Sequence, residues 1–152
     1  MKSIVVIAIG SRIMKDDGVG VWVTEAIESA LNKGNVDVLI AETDYEYGFD
    51  AAKAYDYVFV IDAMISGNTP GKITVFPLSD TKIQNSKATQ HDMSLIDMLV
   101  RDVSLPGSLI GIEVHEVDFG FGLSQMLQEK FEEICSGVLI EILKIKEGLA
   151  DA

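Results

Sequence analysis

The chain lacks most of what commits a protein to a specialised environment. It has one cysteine in 152 residues, Cys135, so no internal disulfide framework exists and the usage fits a reducing compartment. Basic residues are scarce: 12 Lys and Arg stand against 24 Asp and Glu, for a formal charge of −12. Nucleic acid and anionic membrane surfaces both reward Lys/Arg clusters, so neither is expected as a partner. No apolar run approaches the roughly 20 residues of a membrane span. The N-terminal stretch MKSIVVIAIGSRIMKDD has an apolar core of only about seven residues and no small-x-small cleavage site, so it reads as a strand rather than an export signal. With three prolines and no internal repeat, linker or low-complexity tract, the expectation is one domain over 1–152, cytoplasmic and monomeric.

What is present is a series of short apolar runs separated by polar turns. Ser3–Ile9 (SIVVIAI), 36–41 (VDVLIA) and 57–61 (YVFVI) read as strands buried on both faces, as in parallel sheets. Between the first two, Val19, Val23, Ala26, Ile27, Ala30 and Leu31 recur at three- and four-residue spacing, an amphipathic helix stopped near 32–34. A short helix is expected over 49–54. The link SGNTPGK is too short for a crossover helix, which makes ITVFPL (73–78) an antiparallel edge strand, a position Pro77 tolerates. A polar loop follows, then a helix opened by Ser94 with Asp97, a fifth strand over 108–117, and a long C-terminal helix from Ser124 with Leu127, Phe131, Ile134, Val138, Ile142 and Ile145 on one stripe. The fold class is α/β: a three-layer α/β/α domain of the phosphorylase/hydrolase-like kind, on a mixed, mostly parallel five-stranded sheet.

Chemistry in such sheets sits beyond the carboxyl ends of the strands. Asp16 and Asp17 follow the first strand, and Asp62 ends the third; if those strands are neighbours, the acids converge. His91 lies in the loop before the Ser94 helix, and His115 is the only other imidazole. Two carboxylates and one imidazole make an O/N site for a divalent ion with positions left for water or substrate. Bland explanations compete. One of the two adjacent acids suffices to cap a helix, His91 alone fits a solvated loop, His115 fits a strand face, and Cys135 fits a helix core. Asp62 resists such an explanation, because a carboxylate ending a run as apolar as YVFVI needs partners. The segment DFGFGLSQ (118–125) is either a tight turn or the wall of a site. The dinucleotide fingerprint fails at Val23, no P-loop is present, and neither a Ser-His-Asp arrangement nor an H-E-x-x-H helix exists.

Four stretches, IAIGSRIMKDDGVGVWV, VFVIDAM, QHDMSLIDML and VDFGFGLSQMLQEKFEEI, resemble in order and spacing the motifs of the [NiFe]-hydrogenase maturation endopeptidases. The resemblance implies an endopeptidase that removes a C-terminal peptide from a hydrogenase large-subunit precursor once nickel is in place. It assigns the family's metal ligands to Asp17, Asp62 and His91, with nickel carried by the precursor as the ion and zinc or another divalent metal as a substitute. Asp17, Asp62 and His91 are then the functional residues. Asp16 serves either the turn or general-base catalysis. The chain departs from the family pattern in three places. The opening is Ala8-Ile9-Gly10-Ser11, the loop ETDYEYGFD (42–50) replaces a glycine-rich one and brings in Asp44, and Val114 stands where proline is usual. Two other readings remain: a phosphoacceptor receiver-type signalling module, weakened by a doubtful Ser79 and no lysine ending strand five, and a catalytically inactive hydrogenase-assembly chaperone.

Overall fold

The run Ile4–Ile9 forms β1, and all six residues are buried. The computed structural model of the protein describes residues 2–80, 93–102 and 104–150. Beside β1 lie β2 (Val36–Glu42) and β3 (Tyr57–Met64), both parallel to it. The sheet order is β2-β1-β3-β5-β4, with β5 (Gly107–Glu113) parallel to β3 and β4 (Ile73–Pro77) antiparallel at the edge. The five-stranded mixed sheet matches the sequence reading, including the antiparallel edge carrying Pro77. Chain order departs from spatial order at β1 and β3, so the crossovers diverge there. That divergence is where a crevice opens in sheets of this kind.

Side chains alternate across each strand, and the two sets build two cores. Ile4, Val6, Phe59, Ile61, Ile110 and Ile112 pack beneath α1 (Val19–Lys33) and the C-terminal helix Phe131–Ala150. Val5, Ile7, Ile9, Val58, Val60 and Leu109 pack on the other face, beneath α2 (Tyr45–Ala52) and the helix Met93–Asp97. This is the expected three-layer arrangement.

Several boundaries differ from those read in the sequence, each for a local reason. α2 starts at Tyr45, not 49, because Asp44 caps it by accepting the Tyr47 amide at 3.1 Å. The helix expected to open at Ser94 already includes Met93, so Ser94 lies inside its first turn. It continues as a π-type turn over Met98–Asp102. Ser124 does cap the C-terminal segment, but a short helix, Gln125–Glu129, is set off from Phe131–Ala150 at Lys130, whose Nζ donates to the Pro70 carbonyl at 2.9 Å. β5 stops at Glu113, not 117, because the amides of His115 and Glu116 donate to the Asp16 carboxylate instead of to a neighbouring strand. His115 is therefore an exposed loop residue, not a strand-face one.

Candidate functional site

Three loops meet at the carboxyl ends of β1, β3 and β5. The first leaves β1 through Gly10, whose φ of +134° is open to glycine, and a Cβ there would stand 2.2 Å from the Asp17 carbonyl oxygen. The chain then makes a 3₁₀ turn over Lys15–Gly18, which packs against β3 and presents Asp16 and Asp17. Gly20 brings the start of α1 against the end of β3. A Cβ there would lie 2.7 Å from the Ile61 carbonyl oxygen and 3.2 Å from the Asp62 Cα.

The two adjacent acids have different jobs. Asp16 has no exposed surface. Its Oδ2 accepts the amides of His115 (3.0 Å) and Glu116 (2.8 Å) and the Ser124 hydroxyl (2.8 Å), and its Oδ1 accepts the Ser124 amide (2.7 Å). It caps neither the 3₁₀ turn nor α1; it ties the β1 exit to the β5 exit and to the start of the last helical segment. Sealed from water and filled with protein donors, it has a structural role and no route to act as a base on substrate. Asp17 is half-buried, and its Oδ2 accepts the Ser11 amide at 2.9 Å.

Asp62 is 3% exposed, and its Oδ2 has no hydrogen-bond partner among the described residues. Strand alternation puts it on the face of Val58 and Val60, the side covered by α2 and the Met93–Asp97 helix. The β5 residue paired with it is Gly111, which adds no side chain beside the carboxylate. Glu113, paired with Met64 on the same face, was not singled out in the sequence. It is 3% exposed, and its carboxylate accepts the amides of Ser66 and Gly67 and the Ser66 hydroxyl, so it braces the loop leaving β3. The signal was available, since an acid closing the apolar run LIGIE poses the same question as Asp62. Of these three buried acids, Asp16 and Glu113 are satisfied by protein donors, and Asp62 has an oxygen left over. A buried carboxylate oxygen without a donor is costly.

His91 lies outside the described residues. Among those described, no group of three or more His, Cys, Asp or Glu side chains could hold a metal ion. Burial pushes the Cys135 thiol up to about 11, in keeping with a core role.

The comparison that decides the family covers nearly the whole of this architecture: residues 4–141 match the hydrogenase maturation proteases. The chain belongs to that family. Among solved structures, it is similar to the [NiFe] hydrogenase maturation protease HycI from Thermococcus kodakarensis KOD1, with 25% identity, 94% of each chain covered and a TM-score of 0.71. The hydrogenase maturating endopeptidase HybD from E. coli shares the fold at 20% identity, 93% of each chain and a TM-score of 0.74. The [NiFe] hydrogenase maturation protease HybD from Thermococcus kodakarensis does so at 23% identity, 93% of this chain, 98% of that one and a TM-score of 0.71. No curated protein matches the chain by sequence. As a hydrogenase maturation protease the chain is a peptide hydrolase of hydrogenase assembly, which sets aside the receiver-module reading. No helix among the described residues is long and apolar enough to cross a membrane.

Proposed function

We propose that this maturation protease removes the C-terminal extension of a [NiFe]-hydrogenase large-subunit precursor, and that it recognises the precursor through the nickel ion the precursor carries. The observation that carries this reading is the buried Asp62 oxygen left without a donor among the described residues, near the end of β3 where the crossovers from β1 and β3 diverge. A divalent ion arriving with the precursor is the natural partner for it. Asp17, on the adjacent turn, supplies a second carboxylate, and His91 supplies the imidazole that the family resemblance assigns. Carboxylate and imidazole donors suit nickel, and they suit zinc as a substitute.

In this account the chain's residues do two things. Asp17 and Asp62 grip the ion, so the peptide attached to it is laid across the ends of the strands. Asp16 and Glu113 hold the three exit loops in place, so the grip is preformed and substrate ordering costs little at the moment of reaction. An ion held by Asp17, Asp62 and His91 would supply Lewis-acid polarisation of the scissile carbonyl, with water as the second reactant in the hydrolysis of the peptide bond. The general-base role weighed for Asp16 is not part of the proposal, because that carboxylate is sealed.

The test is intact-mass analysis of large-subunit precursors, with and without nickel, incubated with the protein. Loss of a C-terminal peptide from the nickel-loaded form alone, abolished by Asp17→Ala, Asp62→Ala or His91→Ala, is the expected result. Unchanged precursor mass with preserved binding favours the inactive chaperone. Cleavage that ignores nickel contradicts recognition through the ion.

A further inference from the structure

Five of the nine large hydrophobic residues exposed among the described ones sit on one set of loops, and the other four, Tyr47, Met126, Ile140 and Leu143, lie on helices. The five, Ile13, Ile65, Val117, Phe119 and Phe121, all lie on the loops leaving β1, β3 and β5, the edge that carries Asp17 and Asp62. Phe119 is 78% exposed, Phe121 77% and Ile13 57%. Large, clustered apolar exposure on an otherwise strongly charged protein marks an interaction site.

This cluster is built rather than loose. The Gly120 amide donates to the Ile13 carbonyl and the Lys15 amide to the Gly120 carbonyl, both at 2.9 Å, so Ile13 is stitched beside Phe119 and Phe121. Lys15 and Glu116 close the same seam with a salt bridge. Asp16 pins the root of the loop from below through His115, Glu116 and Ser124. The Phe121 ring meets Trp22 edge-on with centroids 5.3 Å apart, and Arg12 lies 4.7 Å over the other aromatic partner, the indole. Beside this pair runs an open groove of about 350 Å³ lined by Trp22, Phe121, Leu123 and Phe131. A loop held this firmly loses little conformational freedom when it binds.

We propose that Ile13, Phe119 and Phe121 form a docking ridge that seats an apolar strip of the precursor protein next to the carboxylate site. The inference rests on the processing reading above and adds a second point of recognition to it, independent of the ion. Charge selects the occupant. A second copy would bring another −12 against the first, and an anionic membrane would be repelled in the same way. A precursor surface with an apolar strip and basic flanks meets the acidic protein with both terms favourable. Substrate choice among hydrogenases then depends on the ridge as well as on the metal, because the ion is common to all of them.

Trp22 is the chain's sole tryptophan and touches Phe121, so its fluorescence reports ridge occupancy during titration with nickel-free large-subunit precursor. The wild-type protein is expected to bind it. The Phe119→Ser/Phe121→Ser double variant is expected to bind at least about tenfold more weakly, the usual consequence of truncating aromatic anchors. Phe119→Ser alone serves as the milder variant, thermal melts establish that each is folded, and Ile140→Ser, on the exposed face of the C-terminal helix, should bind as wild type. Equal affinity of the ridge variants and wild type overturns the ridge, whatever happens to cleavage. Ridge-dependent binding of a precursor that is never cleaved leaves the ridge standing and defeats the endopeptidase reading. Sedimentation showing ridge-dependent dimers and no precursor binding overturns the ridge's assigned occupant.

Discussion

Asp16 and Ser124 are joined twice, the Ser124 amide donating to Oδ1 at 2.7 Å and its hydroxyl to Oδ2 at 2.8 Å, across 108 positions of sequence. The same hydroxyl oxygen accepts the Leu127 amide and caps the helix that follows. One carboxylate thus fixes the exit of β1, the exit of β5 and a helix start.

Removing that carboxylate strands donors in the interior. Asp16→Ala leaves the amides of His115, Glu116 and Ser124 without their acceptor, and each unpaired buried group costs about 1–3 kcal/mol. A loss of about 3–5 kcal/mol is expected in urea denaturation, the lower part of the sum for three such groups, because His115 and Glu116 lie toward solvent. Asp17→Ala, at a half-buried site with one accepted amide, should lose about 1 kcal/mol. Equal losses for the two variants would contradict the division of labour between the adjacent acids.

Gly20→Ala tests the close approach of α1 to β3. Alanine ordinarily favours a helix over glycine by about 1 kcal/mol. Here its Cβ meets the backbone at Ile61 and Asp62, which no rotamer change relieves. The clash should win, with a net destabilisation of about 1–3 kcal/mol, and it should lower processing as well by shifting Asp62. A stabilised, fully active variant would show that this contact positions nothing.

The Arg12–Glu25 pair gives a pH signature. The side-chain bond to Arg12 holds the Glu25 carboxyl below its ordinary value, and the same bond raises the Arg12 guanidinium. Between the folded and the ordinary value the unfolded chain binds more protons, so the pair's contribution is complete above the ordinary carboxylate pKa. It drains as pH falls through the lower folded value. Both side chains are partly exposed, so the effect is below about 1 kcal/mol. Trp22 fluorescence should change in that acid window, because Arg12 lies over the indole. Glu25→Gln should remove that step.

Much of the architecture was legible because burial on both faces writes continuous β-branched runs, as in IVVIAI and YVFVI. The antiparallel edge was legible from a link too short to cross the sheet. The ends of elements were less so. Where β5 stops depends on a carboxylate 99 positions from the His115 amide it accepts, and no local pattern in HEVDF announces that. Asp62 stood out because a charge in an apolar run needs a partner. Glu113 obeys the same rule and was passed over among alternating residues that resembled an ordinary strand. Asp16 was ambiguous because its partners are mostly backbone amides, which carry no side-chain signature. His91 rests on the family resemblance and on its place before a helix.

The most direct measurement is a single comparison on Asp62→Asn: the free energy of unfolding without metal, and processing of nickel-loaded precursor. If Asp62 is kept as a buried, partly unpartnered charge because a cation must bind there, the variant should be as stable as the wild type or more so, by up to about 1–3 kcal/mol, while processing is lost. A variant that is destabilised yet still processes the precursor would mean that Asp62 is a structural acid like Asp16, and the account of the site would fail.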